Sequence, residues 1–332
     1  MARPDSDLLT VIQERLRPFP RDHFLSVTDL NAQTARELLD LADGFVELNQ
    51  GSAKSLDLMA GRTVVNLFFE NSTRTSASFE IAARRLGADV VSLSPRSSSV
   101  AKGETLIDTA ATLNAMKPDV LVVRHSASGA ADLLSQKVGC AVVNAGDGRH
   151  EHPTQALLDM LTIRDHFAKI EGLKVCLVGD ILHSRVARSN IYGLLALGAE
   201  VAVCGPKTLL PLGITELGVT VFSRIEEAIQ WADVLNVLRL QLERMEGGFL
   251  PSLREYNQVW GVSRTRLEQA PKDLLILHPG PMNRGVEIDS DVADGPHAMI
   301  LQQVTNGVAV RMAVLYLLAG GAPDTAEAAK GG

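Results

Sequence analysis

The chain has 332 residues and a formal charge of −7, with 46% of its residues apolar. That length is expected to fold as two domains, each with its own core. The acidic balance speaks against a nucleic-acid surface, no apolar run reaches the roughly 20 residues that span a bilayer, and the polar, charged first residues are unlike a signal peptide.

Residues 1–22 form an N-terminal extension in which Leu8, Leu9, Ile12 and Leu16 can line one face of a short helix, stopped by Pro18 and Pro20. Asn31 can cap a helix that carries Leu38, Leu39, Ala42, Phe45 and Val46 on one face and ends near Gly51. From 62 to 150 the pattern alternates: strands at 63–69, 89–93, 119–124 and 140–144, helices at 76–86, 104–115 and 128–138. The helix at 153–167 bridges to a second alternating block, with strands at 173–178, 200–204, 219–222, 233–238 and 274–277 and helices at 184–197, 225–231 and 263–270. A nearly all-apolar helix at 302–319 must be buried on most sides, and an Ala/Gly/Pro-rich tail at 320–332 is expected to be disordered. Cys140, Cys176 and Cys204 sit in or beside strand-like runs without a C-x-x-C, so they are expected to be buried reduced thiols of a cytoplasmic protein. The eight histidines show no zinc spacing, and neither a metal nor a cofactor is expected.

Open α/β sheets deliver functional residues at the carboxyl ends of their strands. After strand 63–69 comes Glu70-Asn71-Ser72-Thr73-Arg74-Thr75-Ser76, a hydroxyl-rich turn leading into a helix. Ser72, Thr73, Arg74 and Thr75 there offer hydroxyls, backbone N–H groups and a forked cation, a phosphate cradle without a glycine-rich loop. After 119–124 come Arg124 and His125; after 140–144 come Gly146-Asp147-Gly148, His152 and Gln155. After 173–178 come Asp180, Ser184 and Arg185; after 233–238 come Arg239, Gln241 and Arg244; after 274–277 comes His278-Pro279-Gly280-Pro281. The polar loop 97–104 carries Ser98 and Lys102 beside Gly103 and can close over a site.

Each feature has an ordinary structural reading as well. Ser72, His152 and Asp180 can be helix caps, Arg124 a surface ion pair, Arg185 and Arg239 partners of acidic loops, and His278–Pro281 a rigid turn. Together, however, Arg74, Arg124, Arg185 and Arg239 fall at equivalent strand ends of an acidic chain, which suits a small molecule bearing several negative charges. No nucleophile triad, Walker A or dinucleotide fingerprint accompanies them, so the chemistry suggested is direct transfer between two bound substrates.

Phe69-Glu70-Asn71-Ser72-Thr73-Arg74-Thr75, Gly146-Asp147-Gly148 with His152-Pro153-Thr154-Gln155, Arg239-Leu240-Gln241 and His278-Pro279-Gly280-Pro281 occur in one order over residues 23–319. In these motifs the chain resembles the aspartate carbamoyltransferase catalytic chains. The resemblance implies two doubly wound parallel-sheet α/β domains bridged by helices. Residues 23–150 would bind carbamoyl phosphate and 151–301 aspartate, with the C-terminal helix at 302–319 packing back on the first domain. It also implies a cytoplasmic homotrimer with active sites shared between subunits, acting in pyrimidine biosynthesis.

By the same resemblance, Ser72, Thr73, Arg74 and Thr75 match positions that hold the phosphate of carbamoyl phosphate. Arg124, His152 and Gln155 match positions around its carbamoyl group, with backbone contacts from Gly280 and Pro281. Arg185, Arg239 and Gln241 match those holding the carboxylates of L-aspartate; Ser98 and Lys102 match residues lent by the neighbouring subunit, Lys102 also facing aspartate. Arg74, Thr75, Lys102, Arg124 and His152 take the catalytic roles. Ser76 stands where the family usually has Arg. The N-terminal extension resembles a segment used for assembly with a dihydroorotase-like partner. Ornithine-specific relatives show a Cys after the last-strand His and an S-M-G element; here Pro279 follows His278 and S-M-G does not occur. The alternative of another class is a non-catalytic homologue that serves as a scaffold or binding subunit.

Overall fold

The computed structural model describes residues 22–52, 54–93, 104–245 and 248–320. The short helix expected around Leu8–Leu16, Ser98, Lys102 and the tail after Gly320 lie outside the described residues. The chain divides into two compact units, one running to Gly148 and resuming at Asn306, the other spanning Arg149–Thr305.

The first unit is built on four parallel strands, β1 (Thr63–Phe68), β2 (Asp89–Leu93), β3 (Val120–His125) and β4 (Ala141–Asp147), in the order β2-β1-β3-β4. Continuous apolar runs suit strands covered on both faces. Val65, Leu67, Leu121, Val123 and Val142 pack into one cluster with Ala110, Leu113, Ala131 and Leu134, while Val64, Val120, Val122 and Val143, on the opposite face of the pleat, are buried too. Helix α1 (Ala32–Gln50) starts as its sequence predicts: Asn31 Oδ1 accepts the Thr34 N–H at 2.9 Å and Thr34 Oγ1 accepts the Asn31 N–H at 2.9 Å. After β1, helix α2 (Thr73–Arg85) begins three residues earlier than its apolar spacing predicts. Its chain is turned away at Gly87, just past the Leu86 cap, where φ is +85° and a Cβ would come within 2.8 Å of the Leu56 carbonyl oxygen. Helices α3 (Leu106–Ala115) and α4 (Ala130–Ser135) are the next crossovers.

The second unit opens with α5 (Pro153–Phe167) and holds five parallel strands, β5 (Lys174–Val178), β6 (Glu200–Cys204), β7 (Thr220–Phe222), β8 (Val234–Val237) and β9 (Leu275–Leu277), in the order β7-β6-β5-β8-β9. Helices α6 (Arg185–Ala196) and α7 (Ile225–Trp231) cross between them, and Cys176, Cys204, Leu235, Val237 and Ile276 lie in one core cluster. All three cysteines are buried free thiols.

Two local expectations give way here. The helix expected at 263–270 is a single turn, α9 (Arg264–Leu267), while an unexpected helix, α8 (Leu253–Trp260), precedes it. Arg266 explains the pairing: its Nη1 donates to the Gly261 carbonyl at 2.6 Å and its Nη2 to the Gln258 carbonyl at 2.7 Å, satisfying groups at the end of α8. The start of α8 carries a readable signal, since Ser252 and Glu255 form the S-x-x-E pattern and Ser252 Oγ accepts the Glu255 N–H at 3.0 Å.

After the single turn α10 (Ser290–Ala293), the apolar helix α11 (Ile300–Ala319) closes the described chain. From Asn306 onward it belongs to the first unit, where Tyr316 meets Phe45 edge-on at 6.2 Å and the Arg311 guanidinium lies 5.1 Å from the Phe79 ring centre. Among the described residues no helix is long and apolar enough to cross a membrane.

Candidate active site

Each sheet reverses its strand order once, between β1 and β3 in the first unit and between β5 and β8 in the second. Crossovers leave such a switch point on opposite faces, so a crevice opens at the carboxyl ends of the two strands. The cationic residues picked out by sequence flank these two points.

In the first unit, Phe68 pairs with Arg124 and the Phe69 N–H donates to the Arg124 carbonyl at 2.8 Å. The register brings Glu70 beside Arg124, with Nε 3.5 Å from Glu70 Oε2, while Arg124 Nη1 donates to the Ala145 carbonyl at 3.1 Å. Both ends of the guanidinium are thus oriented by the fold. Next to it, the ladder of α2 begins with Ser76 N–H to Ser72 O at 3.0 Å, which leaves the Thr73 and Thr75 N–H groups outside it. Ser72 sits at the cap position but its side chain makes no capping bond, so an ordinary N-cap does not account for it. Arg74 and Thr73 are exposed and Thr75 is buried. The Thr73 and Thr75 N–H groups and the positive end of the helix dipole thus lie at the start of α2, in the same turn as Ser72 and Arg74.

His125 packs edge-on against Phe69 at 4.9 Å, and its Nδ1 accepts the Ala127 N–H at 2.9 Å. Burial holds its pKa below the ordinary imidazole value, partly opposed by Glu70 and Asp147. Gly146-Asp147-Gly148 is framework: Asp147 Oδ2 accepts the Gly129 N–H at 2.7 Å, and Asn144 donates to Asp147 Oδ1 at 2.9 Å.

In the second unit, Gly179 follows β5 with φ +118°, and a Cβ there would come 2.9 Å from the Tyr256 hydroxyl. Asp180 is not a helix cap; Ser184 caps α6, its Oγ accepting the Ala187 N–H at 3.2 Å. Asp180 instead joins the two loops of the switch point. Its Oδ1 accepts the His183 N–H at 3.1 Å and lies 2.8 Å from His183 Nδ1, while its Oδ2 accepts the Gln241 N–H at 3.2 Å. Arg244 Nη1 adds a bond to the His183 carbonyl at 3.0 Å. Buried Arg185 opens α6 directly after the first loop, and half-buried Arg239 and Gln241 lie on the second. Arg239 pairs with Glu243 through Nη1–Oε1 at 2.7 Å and Nη2–Oε2 at 2.8 Å.

His152 precedes α5 without capping it through its side chain; its N–H donates to Ser189 Oγ at 2.9 Å, and Ser189 donates to Glu151 Oε2 at 3.0 Å. Gln155, one turn on, donates from Nε2 to Asp159 Oδ1 at 2.9 Å. The loop after β9 is shaped by His278, whose Nδ1 accepts the Gly280 N–H at 2.8 Å and whose Nε2 lies 3.2 Å from Glu287 Oε1. Glu287 Oε1 also accepts the Asn283 N–H at 2.6 Å. Gly280 is half-buried, and Pro281 beside it is exposed.

Residues 22–165 match the family model described as aspartate/ornithine carbamoyltransferase, carbamoyl-P binding domain, and residues 171–318 match the corresponding Asp/Orn binding domain. The chain is 62% identical over 315 residues, 95% of its length and 98% of the relative's, to the aspartate carbamoyltransferase catalytic subunit of Gemmatimonas aurantiaca. The chain belongs to the aspartate/ornithine carbamoyltransferase family. The catalytic subunit of Caulobacter sp. (strain K31) is 62% identical over 93% of this chain and 92% of its own length. The fold is shared with solved family members. Trypanosoma cruzi aspartate transcarbamoylase in complex with carbamoyl phosphate superposes with a TM-score of 0.82 at 30% identity, covering 92% of this chain and 99% of that one. Gloeobacter violaceus ornithine carbamoyltransferase gives 0.76 at 28% identity over 90% and 99%.

Within this family fold, short sequence motifs mark the strand-end residues but not the groups that hold them. Asp159, Asn190, Asn236 and Gln303 form a buried polar cluster in the second unit, and His183 and Glu287 brace two of its loops. Only Gln155 and Asp159, four apart on one helix, carried a readable local signal.

Proposed function

We propose that this chain transfers the carbamoyl group of carbamoyl phosphate to the amine of L-aspartate, giving N-carbamoyl-L-aspartate and phosphate, in de novo pyrimidine biosynthesis. The observation that carries the reading is the 62% identity over nearly the whole of both chains to a relative named aspartate carbamoyltransferase catalytic subunit. The T. cruzi relative, 31% identical, has been crystallised with N-(phosphonacetyl)-L-aspartic acid.

The phosphate lies on the amino end of α2, held by Ser72, Thr73, Arg74 and Thr75; N–H groups and a forked cation support that role. The amine of aspartate attacks the carbamoyl carbon. Negative charge grows on the carbonyl oxygen, where Thr75, Arg124 and His152 donate hydrogen bonds. The bond from carbon to the bridging phosphate oxygen then breaks, and the departing phosphate takes the amine proton, so no separate general base is required. Gln155 and the backbone of Gly280 and Pro281 hold the carbamoyl group. Arg185, Arg239 and Gln241 hold the aspartate carboxylates, a dicarboxylate fitting two cationic positions better than the cationic chain of ornithine does.

The assembly is a cytoplasmic homotrimer in which Ser98 and Lys102 complete the site of a neighbouring subunit, and the N-terminal extension serves contact with a dihydroorotase-like partner. A colorimetric ureido assay on the purified chain tests the reaction. Product with carbamoyl phosphate and L-aspartate, and none with L-ornithine, is expected. No product with either amine overturns the reading in favour of a non-catalytic binding subunit.

A further inference from the structure

Asp159 lies one turn beyond Gln155 on α5 and is fully buried. Its carboxylate accepts from four amides. Gln155 Nε2 at 2.9 Å and Gln303 Nε2 at 2.7 Å donate to Oδ1; Asn190 Nδ2 at 2.8 Å and Asn236 Nδ2 at 3.1 Å donate to Oδ2. The donors come from α5, α11, α6 and β8, and every one of them is buried.

An ionised carboxylate only accepts, so each amide must turn its NH2 inward and its oxygen away. For Gln303 the consequence is visible: Oε1 accepts the His278 N–H at 2.9 Å and anchors the loop that leads to Gly280 and Pro281. For Gln155 the end not engaged with Asp159 is Oε1, an acceptor. A ligand group meeting that oxygen needs an N–H. A carbamoyl group carries one; an acetyl group of nearly the same size presents a methyl.

We propose that Asp159 is a positioning residue that fixes Gln155 as a hydrogen-bond acceptor, and through Gln303 the His278–Pro281 loop, so that the site selects an acyl group bearing N–H over an isosteric one without it. The proposal rests on the reading of Gln155 as facing the carbamoyl group. A site built to hydrogen-bond one substrate group discriminates against the analogue lacking it more strongly than shape alone does.

The test compares carbamoyl phosphate with acetyl phosphate as donors to L-aspartate, using the intact chain. In Asp159→Ala the ratio of the two kcat/KM values is expected to fall by at least about fivefold, the loss of roughly one oriented hydrogen bond. Gln155→Met is expected to lose the same selectivity, and the double variant no more than Gln155→Met alone, since both act through one amide. A smaller fall in folded Asp159→Ala, or additive losses in the double variant, overturns the proposal; a purely structural role lowers both donors alike. Where Asp159→Ala does not fold, the wild-type chain decides: the Gln155 side-chain NH2, assigned by its absence in Gln155→Met, is expected to exchange with solvent far more slowly than an exposed glutamine. Exchange as fast as an exposed glutamine overturns the proposal. Wild-type chain that makes no carbamoyl aspartate defeats the proposed function itself, whereas an active wild type with an unshifted ratio in the variants defeats only the role of Asp159.

Discussion

Arg239 and Glu243 face each other across one turn of chain after β8, their two hydrogen bonds of 2.7 and 2.8 Å forming a fork-to-carboxylate pair. Burial alone would raise the Glu243 pKa, but the Arg239 hydrogen bonds bring it below the ordinary carboxylate value, so the pair is charged at neutral pH. The pair fixes the plane of the guanidinium and commits both Nη atoms, while Arg239 Nε is buried without a hydrogen-bond partner among the described residues. The Nε–H is therefore the donor that the pair with Glu243 leaves unused.

Glu243→Gln weakens that orientation without removing the cation. The KM for aspartate is expected to rise by about tenfold, with the KM for carbamoyl phosphate unchanged, as for loss of one charge-assisted contact. Arg239→Ala should raise it by about 100-fold or more. Steady-state kinetics with each substrate varied in turn decides the matter; equal effects on both substrates count against a carboxylate role.

Arg74 is exposed at the first turn of α2, so it contributes little to the core. Arg74→Ala is expected to lower kcat by about 100- to 1,000-fold, the scale for losing one donor to developing charge. The melting temperature should stay close to wild type. Parallel loss of melting temperature and turnover would assign the residue to structure instead.

The proposed sharing of sites between subunits makes a sharper prediction. Lys102→Ala and Arg74→Ala trimers are each expected to be nearly inactive. Dissociated, mixed and re-formed, they should regain partial activity, because some sites then pair the intact Arg74 of a Lys102→Ala subunit with the intact Lys102 of an Arg74→Ala subunit. Hybrid trimers verified by mass that remain inactive would argue against a lent lysine.

Asp159 sets a pH dependence of stability. Burial raises its pKa to about 6 from an ordinary 3.8, although the donated bonds from Asn190, Gln303, Gln155 and Asn236 oppose the shift. The folded state thus binds more protons than the unfolded one between these values, and the contribution of Asp159 declines as pH rises through the window. Relative to Asp159→Asn, wild-type stability is expected to be highest below pH 4. It should fall by roughly 3 kcal/mol by pH 7, from about two pKa units at 1.36 kcal/mol each. Urea unfolding of both proteins from pH 4 to pH 8 at one protein concentration measures the difference; a flat difference would show that the carboxyl is not perturbed.

Much of this protein is written in short-range pattern. Apolar runs placed the nine strands of the described residues; the central ones are buried along their length, while the edge strands β2 and β7 are mostly exposed, and the described candidate site residues follow six of the nine runs. The capping of α1 by Asn31 is equally local. Tertiary structure alone decided the rest. It moved the start of α2 to Thr73, putting Thr73 and Thr75 into its first turn, and it reduced the helix expected at 263–270 to one turn whose Arg266 serves the end of α8. It also gathered Asn190, Asn236 and Gln303 around Asp159 from 31, 77 and 144 residues away. Periodicity records which face of an element is dry, but which buried amide meets which carboxylate depends on how the sheet orders its strands, and no local pattern carries that information.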